Sequence, residues 1–380
     1  MNEAKKMNDL DIRVFVGILA TFITLLFAMF IFSVKAENKL SNRLFGAFLI
    51  ISSIETAGFF IHDFVTMSLS FFMFKNTSYY LLTPVFYLYV CSVCYSDFKL
   101  EKKHLWHLLP FIIGNLVMTP RFYLGTREVQ EELLANLIHT RELIFMHISM
   151  HVQSIYYYVM SIIVLRRAKN IFFENHSDNV VQTYKWLYQI VIFWIAIFSI
   201  ALVKNIFKYS DVQSTYFTSS QVVLVFAILL ITCWYILKAL NNPDLFKGVD
   251  SKTKLTKELL EESEDKNENQ EIIENLKVFM NEEKPFLNPS LSIRNLAHQM
   301  KISPRELSIA INHNLNQHFF DFVNEYRIEM AMNLLTDKSK PKLTVLEILY
   351  DVGFNSKSSF NTAFKKHTQL TPTQFRKQHI

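Results

Sequence analysis

Two groups of residues in this chain have the types and spacing to support chemistry. The last quarter of the sequence contains two similar sets of residues, each spaced to lie on one face of a helix. The first holds Arg305, Ser308, Ile309 and Asn312, and the second holds Lys357, Ser358, Asn361, Thr362 and Lys365. Guanidinium, ammonium, amide and hydroxyl groups are the donors that proteins use to bind phosphates and the edges of bases. A solvated helix face is the alternative interpretation for each residue taken alone.

The second group lies inside long apolar stretches and consists of Glu55, His147 and His151. The two histidines are four residues apart, so they share one face of a helix. Ionisable groups at membrane depth are costly, and they often mark a pathway or a ligand pocket. We interpret them as a pocket for a small molecule, a proton or a metal ion. A structural hydrogen-bond network between helices is the alternative.

Motifs for catalysis are absent from the sequence. It contains no glycine-rich phosphate loop, no HExxH zinc motif and no GxSxG nucleophile turn, and it has only 7 glycines. Cys91, Cys94 and Cys233 lie in apolar stretches, so neither a disulfide framework nor a tetrahedral zinc site is indicated. We therefore expect no enzyme activity, no cofactor and no bound metal.

The first 238 residues are too apolar for a soluble domain. The whole chain is 51% hydrophobic, and a membrane-spanning helix needs about 20 mostly apolar residues. Seven stretches are predicted to span a bilayer: 14–34, 44–62, 76–96, 104–120, 143–165, 186–203 and 212–237. The stretch 64–74 is too short to span alone, and we interpret it as an extension of a span or as an interfacial segment.

Basic residues set the expected orientation, because they are retained on the cytoplasmic side. They cluster after the first, third and fifth stretches: Lys35, Lys39, Arg43, Lys99, Lys102, Lys103, Arg166, Arg167 and Lys169. Seven spans then place the N-terminus outside the cytoplasmic membrane and the C-terminus in the cytoplasm.

A change of charge marks a linker. Residues 239–284 hold 12 acidic and 7 basic residues, whereas residues 285–380 hold 7 acidic and 12 basic, a net charge of +5. Ile272, Ile273, Leu276 and Phe279 recur at helical spacing in the second half of the linker. The net positive charge of the last segment suits a partner with a phosphate backbone.

The basic segment contains a repeated pattern. Ser292 can cap a helix with apolar residues at Ile293, Leu296, Ala297 and Met300, and Ser303 to Glu306 form a capping box that begins a second helix. About 52 residues later, Thr344 to Glu347 form another capping box, Gly353 ends that helix, and Ser356 begins the next. The pattern predicts helix-turn-helix units at about 292–315 and 344–367.

An amphipathic helix of about 17 residues, at about 318–335, joins the two units. It is about 26 Å long, so it could hold two recognition helices in successive major grooves about 34 Å apart. The predicted fold is all-α: a seven-helix transmembrane bundle (1–238), an acidic linker (239–284) and a cytoplasmic domain (285–380) of two helix-turn-helix units.

Residues 286–377 resemble the DNA-binding domain of AraC/XylS-type bacterial regulators. The resemblance rests on residues 291–297, 348–354 and on Tyr326, Arg327, Ala331, Leu334, Leu335, Ser356, Phe360, Phe364, Lys365, Thr371, Pro372 and Arg376. It implies sequence-specific binding of double-stranded DNA and recruitment of RNA polymerase, usually as a homodimer.

The sequence departs from that family's pattern at several positions. Lys301, Asn316 and Gln369 stand where glycine is frequent, and Leu349 stands where alanine is usual. Ile309 replaces a frequently polar reading position, so we expect the first unit to specify fewer bases.

The leading hypothesis is a bacterial one-component regulator, in which the seven-helix part senses a ligand or a state of the lipid bilayer and controls the DNA-binding domain. One alternative is a transmembrane enzyme or transporter that uses Glu55, His147 and His151, with the DNA-binding domain as its output. The other is a domain that binds a protein partner instead of DNA.

Overall fold

The structure is a computed structural model that describes residues 12–33, 39–95, 97–136, 139–176, 181–209, 214–241, 268–339 and 343–379. Within these ranges the regular structure is helical and contains no β-strand. The all-α prediction is therefore confirmed. The chain divides into two compact units: an apolar module (residues 1–165 and 186–248) and a helix-turn-helix module (residues 166–185 and 249–380).

The apolar module is built from long helices. In chain order they are α1 (Ile12–Ser33), α2 (Lys39–Ala57), α3 (Leu69–Thr77), α4 (Tyr79–Cys94), α5 (Leu109–Met118), α6 (Arg127–Ala135), α7 (Arg141–Asn175), α8 (Val181–Tyr209) and α9 (Ser214–Asn241). Residues 166–175 at the end of α7 group with the helix-turn-helix module.

Five helical segments in the described residues are long and apolar enough to cross a membrane: Ile12–Ser33, Leu69–Cys94, Arg141–Asn175, Trp186–Phe207 and Tyr216–Lys238. A sixth candidate, Lys102–Tyr123 with Arg127–Ala135, is bent by 118°. The helix α2 carries Lys39, Arg43 and Glu55 and does not meet these criteria. The count of seven spans thus stays a prediction.

The third stretch differs from its expected bounds. Residues 69–74 belong to the short stretch interpreted as an extension of a span or as an interfacial segment, and they form most of α3. Helices α3 and α4 together make one helical segment of 26 residues, Leu69–Cys94, so this candidate span begins seven residues before the expected start at residue 76.

Aromatic side chains fill the centre of the apolar module. Phe48 of α2 packs edge-on against Trp194 of α8, with ring centroids 4.6 Å apart, and lies 5.0 Å from Phe86 of α4. Phe45 of α2 stacks on Tyr89 of α4 at 4.7 Å. Such ring pairs add to the free energy gained by burying their area, so α2 is held inside the bundle by its neighbours.

The second module is also built from helices. Its helices are α10 (Glu268–Glu282), α11 (Ile293–Met300), α12 (Pro304–Ile309), α13 (Phe319–Thr336), α14 (Val345–Asp351), α15 (Lys357–Thr368) and α16 (Pro372–His379). A wide helical turn, Ala310–Asn314, continues α12. The helix predicted in the second half of the linker is α10, whose Leu276 and Met280 are buried in the core of the first helix-turn-helix unit.

Arg327 lies at the junction of the two helix-turn-helix units and is 1% exposed. Its guanidinium donates from Nε to the Phe286 carbonyl at 2.7 Å and from Nη2 to the Asn288 carbonyl at 2.8 Å. It also lies 5.5 Å from the centre of the Phe354 ring, which belongs to the second unit's core. One side chain on α13 therefore contacts the segment before the first unit and the turn of the second.

Left-handed backbone occurs at the turns where AraC/XylS-type domains frequently have glycine and this chain has another residue. Lys301, Asn316 and Gln369 have φ values of 58°, 49° and 61°. The turns therefore keep a conformation that costs most L-residues about 1–2 kcal/mol. Gln369 therefore adopts the left-handed geometry that a glycine would adopt at this turn.

Gly353 is the one glycine whose conformation the second unit requires. Its φ is +88°, and a Cβ placed there would lie 2.6 Å from the Phe286 carbonyl oxygen and 2.8 Å from that of Leu287. Because both neighbours are backbone atoms, a rotamer change cannot relieve the overlap. Glycine at this position lets the turn approach the same segment that Arg327 binds.

We expect Gly353→Ala to destabilise the helix-turn-helix module by at least about 2 kcal/mol, since left-handed backbone and steric overlap add. Hydrogen–deuterium exchange of the full chain should show faster exchange in peptides from 286–379 and unchanged exchange in 12–33. Asn355→Ala, at an exposed residue in the same turn, is the control. Unaltered protection in Gly353→Ala would contradict this packing.

Candidate DNA-binding surface

Two capping boxes begin the first recognition helix, α12, and the helix before the second recognition helix, α14. Ser303 Oγ accepts from the Glu306 amide at 3.1 Å while Glu306 Oε2 accepts from the Ser303 amide at 3.2 Å. Thr344 and Glu347 make the same reciprocal pair at 3.2 and 2.7 Å. The Thr344 hydroxyl also donates to Glu347 Oε2 at 2.7 Å. This bond, together with the one from the Thr344 amide, holds the pKa of the Glu347 carboxyl below its ordinary value. Both predicted capping boxes are therefore present as hydrogen-bonded structures.

The face on α15 is open to solvent. Lys357, Ser358, Thr362 and Lys365 are exposed and Asn361 is half-buried, while Phe360 and Phe364 on the opposite side are fully buried. The neighbouring Lys366 pairs with Asp321 of α13 at 2.7 Å. The five residues of the second unit that were expected to face outward therefore lie together on one accessible face of α15.

The face on α12 is different. Arg305 is exposed, but Ser308 and Ile309 are only 4% and 7% exposed, and Asn312 is half-buried. The expectation that all four residues face outward is therefore wrong for Ser308 and Ile309. One physical reason is that α10, the helix of the linker, packs against α12 and the turn that follows it.

The Asn312 side chain makes three hydrogen bonds within the module. Its Oδ1 accepts from the Phe319 amide at 3.0 Å, at the start of α13. Its Nδ2 donates to Ser308 Oγ and to the Glu174 carbonyl, both at 3.2 Å. In this conformation Asn312 joins α12 to α13 and to residue 174, and its amide group is not directed at solvent.

The polar residues of the apolar module have separate hydrogen-bond partners. Glu55 pairs with Lys75 at 3.4 Å and accepts from Ser78 Oγ at 2.7 Å. His151 Nε2 lies 3.0 Å from Asn205 Nδ2, and His147 Nδ1 lies 2.8 Å from the Leu143 carbonyl of its own helix. The contacts shown do not join Glu55 to either histidine. No cluster of metal-binding side chains occurs among the described residues.

Comparison with known proteins gives matches in the C-terminal part. Residues 296–378 match a family described as "helix-turn-helix domain". Over 73 residues the chain is 38% identical to an uncharacterized HTH-type transcriptional regulator in the cgkA 5′ region of Pseudoalteromonas carrageenovora, covering 19% of this chain and 39% of that protein. Over 93 residues it is 32% identical to the uncharacterized transcriptional regulatory protein YesN of Bacillus subtilis, covering 24% and 25%.

A solved structure that matches part of the chain is the C-terminal domain of AraT, a response regulator from Geobacillus stearothermophilus. It is 28% identical, with a TM-score of 0.26, and the match covers 29% of this chain and 86% of that chain.

The C-terminal part of the chain is therefore an AraC-type helix-turn-helix domain, and the resemblance found in the sequence is confirmed. The chain spans less than two fifths of the length of either curated relative named above.

Two residues important for the site carried only a weak signal in the sequence. Arg327 interrupts the apolar stripe of α13, and a charge in such a stripe indicates a buried partner. Asn312 has the spacing of a reading residue, and only the fold shows that it caps α13. The contact at Glu174 joins residues 138 positions apart, so periodicity could not reveal it.

We expect the two faces to differ in chemical accessibility. Ile309 and Thr362 lie at the same distance from their helix caps, Ser303 and Ser356, but Ile309 is buried and Thr362 is exposed. In the full chain, Thr362→Cys should react with a water-soluble maleimide at least about tenfold faster than Ile309→Cys, because the reagent needs an accessible thiolate. Equal rates would show that the first face is open.

Proposed function

We propose that this chain is a membrane-bound, sequence-specific DNA-binding transcription regulator. The central support is the face on α15, where two lysines, two hydroxyls and one amide are presented on a capped helix of a domain with net charge +5. Lysine suits phosphates, and asparagine can pair with adenine in the major groove. The curated relatives named above are described as transcriptional regulators.

The geometry of α13 supports the use of both helix-turn-helix units. The helix has 18 residues, hence a length of about 27 Å. Successive major grooves on one side of a duplex are about 34 Å apart, and each recognition helix packs beside α13. We assign base contacts to Lys357, Ser358, Asn361, Thr362 and Lys365 in the second unit and to the exposed Arg305 in the first. Ser308, Ile309 and Asn312 are assigned base contacts only in a state in which the first face is uncovered.

The membrane part of the proposal is a seven-span anchor with the C-terminus in the cytoplasm, followed by the linker 239–284 and the DNA-binding domain 285–380. The second predicted span, α2, is the one that the length and apolarity criteria leave out. Its Glu55 has a paired lysine and a serine donor, and ionisable groups in membranes are tolerated when they are paired in this way. Its aromatic contacts hold it within the bundle.

The proposed signal enters through the apolar module. Glu55, His147 and His151 are the candidate sensing residues, and the signal is a small molecule or a state of the bilayer. We propose that the regulator acts as a homodimer that recruits RNA polymerase, as the AraC-type resemblance implies. No catalytic step is assigned to the chain.

Binding to DNA is testable with a duplex selected by the full chain from a random-sequence pool. Lys365→Ala should weaken binding to every duplex and lower the slope of log affinity against log salt by about 1. Asn361→Ala should instead reduce discrimination at one base pair by about 1–3 kcal/mol. Asn333→Ala, at an exposed residue of α13, should change neither. Retention that ignores both salt and sequence would contradict DNA binding.

Topology is testable with reporters. A fluorescent protein fused after Ile380 should fold and fluoresce in the cytoplasm, and a phosphatase fused after Asp63 should be active outside. A phosphatase fused after Glu37 should be inactive, since one span places that point in the cytoplasm. Equal phosphatase activity after Glu37 and after Asp63 would show that α2 does not cross the membrane.

A further inference from the structure

Residues 173–176, which we call the docked segment, lie against the first helix-turn-helix unit. Phe173 packs edge-on against Phe320 at a centroid distance of 5.2 Å and stacks near His318 at 6.2 Å. The Glu174 carbonyl accepts a hydrogen bond from Asn312 Nδ2 at 3.2 Å. His176 forms an isolated antiparallel bridge with Ser292, the cap of α11.

These contacts reach three parts of the first unit: the cap of its first helix, the end of its recognition helix, and the start of α13. The segment combines aromatic, side-chain and backbone contacts, so its position is specified in several independent ways. Ala168, Ile171 and Phe172, which precede it on α7, are at most 3% exposed. The end of α7 is thus packed as part of the helix-turn-helix module.

We propose that the docked segment is an intramolecular lock that keeps the first recognition helix from DNA. This inference rests on the proposed function. The major groove is about 12 Å wide and accepts a helix only when its reading face is free. A backbone carbonyl at hydrogen-bond distance from Asn312 occupies the space that a base edge would need. The docked segment thus contacts the first reading face at Asn312.

The second recognition helix lacks such a cover among the described residues, since four of its five reading residues are exposed. The locked chain therefore presents one usable reading face, and release adds the second. The two reading faces are joined by α13 and bind one duplex. Release of the docked segment therefore raises the affinity for DNA through a higher effective concentration as well as through new contacts.

The helix α7 connects the docked segment to the apolar module. α7 runs without interruption for 35 residues, Arg141–Asn175, and it carries His147 and His151 in its first half. A ligand controls a two-state equilibrium only by the difference in its affinity for the two states. A signal that shifts or rotates α7 changes the free energy of docking directly, because the docked segment is the end of that helix.

A reversible crosslink tests the lock. His176 and Ser292 form an antiparallel bridge, so their Cα atoms are within the range that a disulfide spans. The full chain with His176→Cys and Ser292→Cys, in lipid nanodiscs, should bind its selected duplex at least about tenfold more weakly when oxidised than after reduction. Mass spectrometry verifies the crosslink, and the reduced protein is its own control.

The outcomes distinguish the lock from the proposed function. Equal affinity of the oxidised and reduced forms, with binding retained, would overturn the lock and leave DNA binding in place. If random-sequence selection yields no bound duplex for the reduced form, the proposed function fails and the lock fails with it.

A variant that weakens the contacts of the docked segment should have the opposite effect on DNA affinity. Phe173→Ala removes both ring contacts of the docked segment and should tighten binding of the full chain to the duplex about tenfold, which corresponds to about 1.4 kcal/mol. Asn170→Ala, at an exposed residue one turn earlier on α7, should leave affinity unchanged. Unchanged or weaker binding by Phe173→Ala, with normal exchange protection of α11 to α16, would overturn the inference.

Discussion

The buried guanidinium of Arg327 is the interaction on which the DNA-binding domain depends. It satisfies two backbone carbonyls of the segment that enters the domain and lies over a ring in the core of the second unit. A buried charge is tolerated only when its hydrogen bonds are satisfied. This requirement fixes α13 against residues 286–288 and against the turn at Gly353, and it thereby sets the spacing of the two recognition helices.

Much of this domain could be predicted from the sequence, because its signals are local. Capping boxes at Ser303 and Thr344, the apolar stripes and the turn at Gly353 each act within a few residues, and each is present in the structure. The weaker predictions were those that depend on distant contacts. Ser308 and Ile309 have the periodicity of an outward face, but parts of the chain far away in sequence cover that face.

In the apolar module, too, features set by local sequence could be predicted and features set by distant contacts could not. Long apolar runs identify the helices, since composition is a local property. The number of spans depends on how residues 64–74 and α2 are accommodated, and this is decided by packing. Residues 69–74 join the third candidate span across a break at Ser78. Glu55 of α2 is paired with Lys75, a contact that the hydropathy of α2 alone does not predict.

The two recognition helices are similar in sequence pattern but differ in accessibility, and this difference is the basis of the regulatory account. A hydroxyl-radical footprint of the full chain on its selected duplex tests that account most directly. The account predicts protection at one groove segment when His176→Cys and Ser292→Cys are oxidised to a disulfide, and at two segments about 10 base pairs apart on the same side of the duplex when Phe173 is replaced by alanine. Two protected segments with the crosslinked chain would contradict it.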